Sequence, residues 1–212
     1  YLDDAECYKR LIFFSASTKA YAIDVKASDN KYYALNILKI RALQKLHSET
    51  GTSRKTFVKE WTMNLALNRP ELLIGKNIFD ANGLFSGIVI LIVRPSAINA
   101  IMFENNPNNG LGKTGEVYLV GYDSLMRSTS RFLENSVYKI KVRTKGVYRA
   151  LKGFTGRSQF KDYRNIPVLS SYSPLVFSNL RWVILAEIDT KEAMIPIYSI
   201  RDNIIYLSLL IA

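Results

Sequence analysis

The feature that most constrains the fold is the apolar run Arg181-Trp-Val-Ile-Leu-Ala-Glu-Ile-Asp189 near the end of the chain. Between Trp182 and Ala186 this run is apolar at odd and even positions alike. A strand of this kind is buried on both faces, because alternate side chains point to opposite sides of a sheet. We therefore expect it in the middle of a sheet, with residues 113–180 arranged around it.

Further strand-like segments and one short helix precede this central strand. Residues 114–123, with alternating apolar positions and glycines near both ends, predict a strand. Residues 124–132 predict a turn, which includes Met126, Arg127 and Ser128, and a returning strand. Residues 144–152 predict a helix that ends at Gly153, since glycine takes positive φ at little cost. The predicted buried face of this helix carries Val147, Tyr148 and Leu151. Residues 157–163 and 166–174 then predict a hairpin around Arg164-Asn165.

Strand, hairpin, helix, hairpin and central strand is the order of a PAS-like sensor module. Five motifs of this region occur in sequence: Thr114-Gly-Glu-Val-Tyr-Leu-Val-Gly, Met126-Arg-Ser-x-Ser-Arg-Phe132, Asp162-Tyr-Arg164, Pro167-Val-Leu-Ser-x-Tyr-x-Pro-Leu175 and Arg181-Trp-x-Ile-Leu-Ala-Glu-Ile-Asp189. They resemble the membrane-proximal lobe of double Cache sensor domains. The resemblance implies a module that lies outside the membrane in bacterial histidine kinases, chemoreceptors or nucleotide cyclases.

The preceding part of the chain predicts a second sheet. Its apolar run Ile88-Val-Ile-Leu-Ile-Val93 is too continuous for a solvent-exposed face and predicts another central strand. The predicted elements are strands at 57–67, 70–79 and 84–93, a connection at Asn68-Arg69, a turn at Asp80-Ala-Asn-Gly83, a helix at 95–102 and a linker at 104–110. Within them, Ile74-Gly-Lys-x-Ile-Phe-Asp-Ala-Asn-Gly-x-Phe-x-Gly87 and Pro95-Ser-Ala-Ile-Asn-Ala-Ile resemble the end of the membrane-distal Cache lobe.

The N-terminal residues depart from that family pattern. Residues 31–48 predict an amphipathic helix, and the apolar cluster Leu11-Ile-Phe-Phe14 fits a helix or a buried strand equally well. A complete distal lobe would supply its first strands before Phe57, where the sequence predicts mainly helix. We therefore expect a shortened distal lobe, within an α+β fold of two PAS-like lobes of antiparallel sheet with flanking helices. The expected divisions are 1–104 for the N-terminal helix and distal lobe, 111–190 for the proximal lobe and 191–212 for a C-terminal helix.

The chain is strongly basic, with a net charge of +11. Much of the excess lies in one window where a single acid, Asp162, accompanies Lys139, Lys141, Arg143, Lys145, Arg149, Lys152, Arg157, Lys161 and Arg164. A solvated charged face is the favoured interpretation; nucleic acid and anionic lipid headgroups stay open as alternatives. We expect no nucleic-acid partner.

The sequence offers little for catalysis or metal binding. Cys7 is the single cysteine and His47 the single histidine, which excludes an internal disulfide and a Cys/His zinc site and argues against a Ser/His triad. The carboxylates near the predicted sheet fall at strand ends and turns, where solvated or capping acids are ordinary. We expect neither an enzyme nor a cofactor.

Eight residues of the proximal lobe are candidates for a ligand pocket. Aromatic walls with a guanidinium and a carboxylate suit a small anionic or zwitterionic molecule, because arginine can bind a carboxylate through two parallel hydrogen bonds. The candidates are Tyr118, Met126, Arg127, Ser128, Asp162, Tyr163, Arg164 and Tyr172. In the competing interpretation, Arg127 and Arg164 pair with Asp162 or Glu187 and hold the sheet, while the tyrosines pack in the core.

The last residues, 204–212, are uncharged and mostly apolar. Nine residues fall short of the ~20 that cross a bilayer, so they fit either the first turns of a transmembrane helix or a helix packed on its own domain. With the resemblance, we expect the former, and a periplasmic sensor domain at the cell membrane that relays small-molecule binding through its C-terminal helix. A basic nucleic-acid-binding domain and a ligand-free structural or dimerisation module are the alternatives, and pairing as a homodimer stays open.

Overall fold

The computed structural model describes residues 8–16, 19–24, 31–34, 37–50, 53–61, 71–102, 111–178 and 180–211. The chain divides into two compact units. The first unit comprises residues 1–100 with 176–180, and the second comprises residues 101–175 with 181–212. Each unit is built around one antiparallel sheet.

The first sheet has six strands in the order β3-β2-β1-β6-β5-β4. The elements up to the end of this region are β1 (Tyr8–Ser15), β2 (Ala20–Asp24), β3 (Lys31–Ala34), α1 (Ile37–Thr50), β4 (Phe57–Trp61), β5 (Glu71–Phe79), β6 (Phe85–Val93) and α2 (Pro95–Met102). Strand β6 lies between β1 and β5, which confirms the central position predicted for residues 84–93.

An apolar core lies on one face of this first sheet. Ile12 on β1 pairs with Ile90 on β6, and both side chains are fully buried because alternate residues of each strand point to the same side. Leu43 and Leu46 of α1 belong to the same cluster, so this helix covers the core face. Both leucines are fully buried.

Two expectations for the N-terminal part are wrong. The helix predicted for residues 31–48 begins only at Ile37, and Lys31–Ala34 instead form a strand paired with β2. The expected shortening of the distal lobe is wrong too, because three strands precede α1. The ambiguous cluster Leu11-Ile-Phe-Phe14 lies in β1, between β2 and β6. Pairing with neighbouring strands, which a short window of sequence does not reveal, decides these conformations.

The predicted turn before β6 is present. The Asp80 carboxylate accepts hydrogen bonds from the backbone N–H groups of Asn82 at 2.9 Å and Leu84 at 2.8 Å, and Gly83 has a φ of 81°. Of the predicted strands at 57–67 and 70–79, the structure describes Phe57–Trp61 as β4 and Glu71–Phe79 as β5. The connection at Asn68-Arg69 and the linker 104–110 lie outside the described residues.

The second sheet has four strands in the order β7-β10-β9-β8. The elements of this region are β7 (Glu116–Gly121), α3 (Lys145–Leu151), β8 (Gly156–Lys161), β9 (Pro167–Phe177), β10 (Leu180–Asp189), α4 (Thr190–Ala193) and α5 (Ile195–Ile211). The predicted central strand is confirmed, since β10 lies between β7 and β9. The predicted hairpin is also present, as β8 and β9 pair antiparallel around Asn165, whose φ is 65°.

The returning strand predicted within residues 124–132 is wrong. Only isolated bridges, Val120 with Met126 and Leu125 with Lys141, continue the pairing beyond the turn. The reason is a side chain: the Ser128 hydroxyl accepts the backbone N–H of Leu119 at 2.9 Å, in the place where a strand would offer a carbonyl.

Helix α3 has the predicted ends but a different buried face. Thr144 caps its first turn and Gly153 follows its end with a φ of 92°. Val147 and Ala150 are buried, whereas Tyr148 is 61% exposed, so its predicted burial is wrong. The face that packs on the sheet is rotated toward Gly146, Val147 and Ala150.

The C-terminal residues continue from β10 into α4 and then α5, which confirms the predicted helix. From residue 195 to 210 every side chain of α5 is exposed, including eight isoleucines and leucines, so the alternative of a helix packed on its own domain is wrong. In the part of the chain that the structure describes, no helix has both the length and the hydropathy of a membrane span.

Candidate functional site

Two buried side chains on neighbouring strands make the central polar contact of the second unit. Tyr118 on β7 is fully buried and Glu187 on β10 is 5% exposed. The Tyr118 hydroxyl donates a hydrogen bond to Oε2 of Glu187 over 2.8 Å. The register of the two strands places Glu187 opposite Glu116 and Leu185 opposite Tyr118. These side chains therefore share one face of the sheet.

A second tyrosine extends this contact into a network around Glu116. The Tyr163 hydroxyl donates to Oε2 of Glu116 over 2.6 Å, and the backbone N–H of Arg131 donates to Oε1 over 2.8 Å. Because the Tyr163 proton is used in this way, the Ser130 hydroxyl, 2.7 Å away, donates to the Tyr163 oxygen. The Tyr163 ring meets the Tyr118 ring edge-on, with centroids 5.5 Å apart.

Arg164 connects the β8–β9 turn to the end of β10. Its Nε donates to Oδ2 of Asp162 over 2.6 Å, and another guanidinium nitrogen donates to Oδ1 of Asp189 over 2.7 Å. Its guanidinium also lies 4.0 Å from the centre of the Phe132 ring. Asp162 in turn accepts the backbone N–H groups of Arg164 and Ile166, which fixes the turn. Asp189 is the residue before α4, so the ion pair between Arg164 and Asp189 lies where the helix begins.

The start of α4 is held by a second set of contacts. The Glu192 carboxylate accepts the backbone N–H groups of Lys113 at 2.8 Å and Thr114 at 2.7 Å, and also the Thr114 hydroxyl. The backbone N–H of Asp189 donates to the same Thr114 hydroxyl over 3.2 Å. The entry to β7 and the exit from β10 are therefore tied together.

Burial shifts the protonation equilibria of this network. Burial raises the pKa of Glu187 to about 7, with a further contribution from the negative charges of Asp162 and Glu116. Burial also raises the pKa of Tyr118 and of Tyr163, and the neighbouring glutamates add to both increases. Both tyrosines therefore stay protonated and act as donors at neutral pH.

Arg127 lies elsewhere. Its guanidinium lies over Gly121, where a Cβ atom would come within 2.2 Å of it, and stacks 4.6 Å from the centre of the Tyr138 ring. It pairs with Asp123 at 3.0 Å and donates to the carbonyl of Leu125 over 2.8 Å. Since Gly121 and Val120 are consecutive strand residues, Arg127 occupies the side of the sheet opposite to Val120 and Tyr118.

Of the eight predicted residues, the structure brings four into the polar network: Tyr118, Asp162, Tyr163 and Arg164. Met126 and Tyr172 pack in the apolar core of the second unit, and Ser128 is used by the backbone of Leu119. The pairing of Arg164 with Asp162 agrees with the competing interpretation. The ligand-binding assignment of the eight stays a prediction.

Four residues of the network were not among the predicted ones: Glu116, Ser130, Ser170 and Glu187. The signal for the two glutamates was present in the sequence, because each interrupts a strand that is otherwise apolar on the same face. Ser130 and Ser170 gave no comparable signal, since serine is common in turns and at exposed strand positions.

A groove lies on the opposite face of the same sheet. It has a volume of about 490 Å³ and is lined by Arg157, Ser158, Gln159, Leu169, Ser170, Ser171, Ala186 and Ile188. Ala186 and Ile188 alternate along β10 with Leu185 and Glu187, which are buried on the network side. Strand β10 therefore carries the network on one face and the groove on the other.

The basic window forms an exposed surface. Eight of its nine cations are exposed, and Arg164, the ninth, is half-buried in its pair with Asp162. This agrees with a solvated charged face. Two of the cations lie against exposed aromatic rings: Lys152 is 4.3 Å from the centre of Tyr148, and Arg149 is 5.9 Å from that of Phe154.

Comparison with known proteins gives matches in structure only. No protein-family model matches the chain, and no curated protein matches its sequence. The chain is similar to the periplasmic sensory domain of the Campylobacter jejuni chemoreceptor Tlp1, with a TM-score of 0.64 and 13% identity over 89% of this chain and 75% of that one. The chain shares the fold of this periplasmic sensory domain.

Two further structural neighbours are ligand-binding domains of chemoreceptors. The Pseudomonas aeruginosa PAO1 receptor PctB, in complex with L-Arg, has a TM-score of 0.55 and 17% identity over 89% of this chain and 74% of that one. The Pseudomonas fluorescens receptor CtaA, in complex with L-alanine, has a TM-score of 0.55 and 11% identity over 91% of this chain and 78% of that one. The α+β class and the two antiparallel sheets predicted from the resemblance are thus confirmed.

Proposed function

We propose that this chain is the extracytoplasmic sensor domain of a transmembrane signalling receptor, and that it binds a small carboxylate-bearing molecule. The proposal is supported by the fold, because the neighbours are sensory domains, and two of them are in complex with an amino acid. An amino acid or a related carboxylate is therefore the first class of ligand to test.

The single observation that carries the proposal is the arrangement of strand β10. One face of β10 forms part of the groove, the other carries Glu187, and its last residue, Asp189, is held by Arg164 directly before α4. A ligand in the groove that favours one position of β10 would shift the helices that follow it. A difference in affinity of ~1–3 kcal/mol between two states is enough for such coupling.

The groove is the proposed ligand site. Its volume of about 490 Å³ suits a small molecule, and it offers the open space that the hydrogen-bonded network lacks. Arg157 at its edge is exposed and forms no ion pair with any residue that the structure describes. Its guanidinium can bind a carboxylate through two hydrogen bonds, while Leu169, Ala186 and Ile188 contact an apolar portion of the ligand.

Helix α5 is proposed to lead toward the membrane. Its exposed side chains are mainly isoleucine, leucine and tyrosine, and exposing so much apolar surface to water is energetically unfavourable. Attachment to the membrane, a periplasmic location and pairing with a second copy are part of this proposal.

A thermal-shift screen of amino acids and small carboxylates tests the proposed site. We expect at least one compound to raise the melting temperature, since a ligand that binds only the folded state stabilises it. Arg157→Ala should remove the shift, and Ala186→Phe should remove it by filling the groove. Arg143→Ala is the matched control, because it deletes another exposed cation of the basic window.

The outcome that contradicts the groove is a shift that survives both Arg157→Ala and Ala186→Phe. Loss of that shift in Arg127→Ala or Tyr172→Ala would favour the predicted pocket instead. Absence of any shift would favour a ligand-free structural module, and retention on single-stranded DNA that falls steeply with salt would favour a nucleic-acid-binding domain.

A further inference from the structure

Two buried glutamates face each other across adjacent strands. Glu187 on β10 is directly opposite Glu116 on β7, and the two residues are 5% and 4% exposed. Like charges in this position repel each other, and the low dielectric of the interior strengthens the repulsion. One of the two carboxyl groups is therefore favoured in its neutral form.

The hydrogen bonds show which of the two it is. Glu116 uses both oxygens, accepting from the Tyr163 hydroxyl and from the backbone of Arg131. Glu187 accepts from Tyr118 through Oε2, and its Oε1 has no partner other than the Ser170 hydroxyl within the described ranges. A proton on Oε1 would convert this buried acceptor into a donor.

An acceptor for that proton is at hand. The Ser170 hydroxyl on β9 is 2% exposed and lies beside the Glu187 carboxyl, where a hydrogen bond from it lowers the pKa of Glu187 against the larger effect of burial. The Ser170 oxygen can also accept from the neutral carboxyl group, which keeps its bond from Tyr118. The contact with Ser170 can therefore persist in both protonation states of Glu187.

The charged and titratable groups around Glu187 reinforce this preference. From β7 it faces Tyr118 and Glu116, and from the β8–β9 turn it faces Asp162. Tyr163 contacts Tyr118 and Glu116, and the Arg164 guanidinium is bound by Asp162 and Asp189. No cation of the described network neutralises a charged Glu187.

We propose that Glu187 is a proton-binding site, and that the pH outside the membrane acts on this domain by charging or neutralising it. Burial raises the pKa of this carboxyl from 4.5 to about 7, which places its titration in the physiological range. The charged form repels Glu116 and Asp162, and it lies on β10 two residues before Asp189. The protonation state of Glu187 is thus coupled to the strand that precedes α4. This site adds a second input to the proposed function and does not depend on the ligand in the groove.

The expected pH dependence follows from the direction of the shift. The folded protein holds the proton more tightly than the unfolded chain, so stability is fully present below about pH 4.5 and is lost as the pH rises through about 7. Between these limits, folding should take up about one proton. Other groups contribute a background, which a variant at Glu187 leaves in place.

Thermal unfolding between about pH 5 and about pH 8 tests the site. The melting temperature of the wild-type protein should fall over this interval more steeply than that of Glu187→Gln, whose carboxamide mimics the neutral group. Glu134→Gln is the matched control, because Glu134 is an exposed acid, and it should behave like the wild type. Equal slopes for wild type and Glu187→Gln would overturn the proposal.

Infrared difference spectroscopy of the wild type gives a result that needs no folded variant. A carbonyl band of a buried protonated carboxyl group should be present at about pH 5 and vanish near about pH 8, with a midpoint near about 7. Absence of that band would overturn the proposal.

Hydrogen exchange at Thr190–Ala193, corrected for intrinsic rates, should change with the same midpoint, and an unchanged rate would contradict the coupling to α4.

Discussion

The cores of the two units differ in kind. The core of the first unit is apolar, with Ile12, Phe14 and Ile90 among its fully or almost fully buried members. Among the described residues, Asn77 is the one buried polar side chain of that unit, whereas Glu116, Arg127, Ser128, Ser130, Ser136, Thr144, Asp162, Ser170 and Glu187 are buried in the second. The difference suggests a scaffold in one unit and a responsive site in the other.

The physical reason is the cost of burying polar groups. An apolar core gains its stability from the burial of apolar surface. Its close packing leaves little room for variation in geometry. A buried polar network stabilises the fold only while every member keeps its partner, so a small movement or a change in protonation alters its energy sharply. The second unit therefore has the means to respond to a ligand or a proton, which the described core of the first unit lacks.

The largest effect is expected from a cavity in the apolar core. Ile90→Ala should destabilise the protein by about 2–5 kcal/mol, because Ile90 is fully buried in the central strand β6. Urea denaturation followed by circular dichroism measures it. The loss should be the same at about pH 6 and about pH 8, since the buried members of this cluster are apolar and the titration of other groups is common to both proteins.

Ile90→Val is the matched control and should lose only about 0.5–1.5 kcal/mol. A loss of stability in Ile90→Ala that depends on pH would contradict the distinction between the two cores.

A somewhat smaller effect is expected from Arg164→Ala in the polar network. The substitution leaves Asp162 buried without its cation and frees Asp189 from the turn, at a cost of about 2–3 kcal/mol. Urea denaturation measures the loss, and hydrogen exchange at α4 should increase. Arg143→Ala, an exposed cation, should change neither. If exchange at α4 stays unchanged while stability falls, the network holds the sheet but does not control the helix.

The sequence predicts the second unit better than the first, and the reason is local. The run from Trp182 to Ala186 and the turn at Asn165 specify their own conformations, so β10 and the β8–β9 hairpin are where the pattern placed them. Residues 31–34 show the opposite case, because pairing with β2 overrides a helical pattern. Such pairing depends on residues that are distant in the sequence.

The candidate site was predictable only in part. Alternation along β7 places Tyr118 and Glu116 on one face, and the structure agrees. The opposition of Glu116 and Glu187 depends on the register between β7 and β10, which the sequence does not state. Arg127 shows the same limit, because its position over Gly121 is set by the irregular path of the chain after β7.

A smaller loss is expected from Tyr163→Phe. Removing the hydroxyl deprives Oε2 of Glu116 of its donor and the Ser130 hydroxyl of its acceptor, at a cost of about 1–2 kcal/mol. Thermal unfolding measures the change. Tyr148→Phe provides the control, because the Tyr148 ring is exposed and its hydroxyl is outside the network. Equal stability of the two variants would mean that water replaces the lost hydrogen bonds and that the network is loosely held.

The smallest effect is expected at the start of α3, a helix of the second unit that packs on apolar side chains of that unit. The Thr144 hydroxyl accepts the backbone N–H of Val147 at 3.4 Å, a long bond, so Thr144→Ala should cost about 0.5–1 kcal/mol. Thr144→Ser keeps the acceptor and should restore most of that loss in urea denaturation. Because Val147 and Ala150 pack on apolar side chains of the second core, fraying of the first turn should leave the Glu187 titration unchanged. A shifted midpoint in the infrared titration of Thr144→Ala would instead show that the polar network depends on the apolar packing beside it, and that the second core responds as a single body.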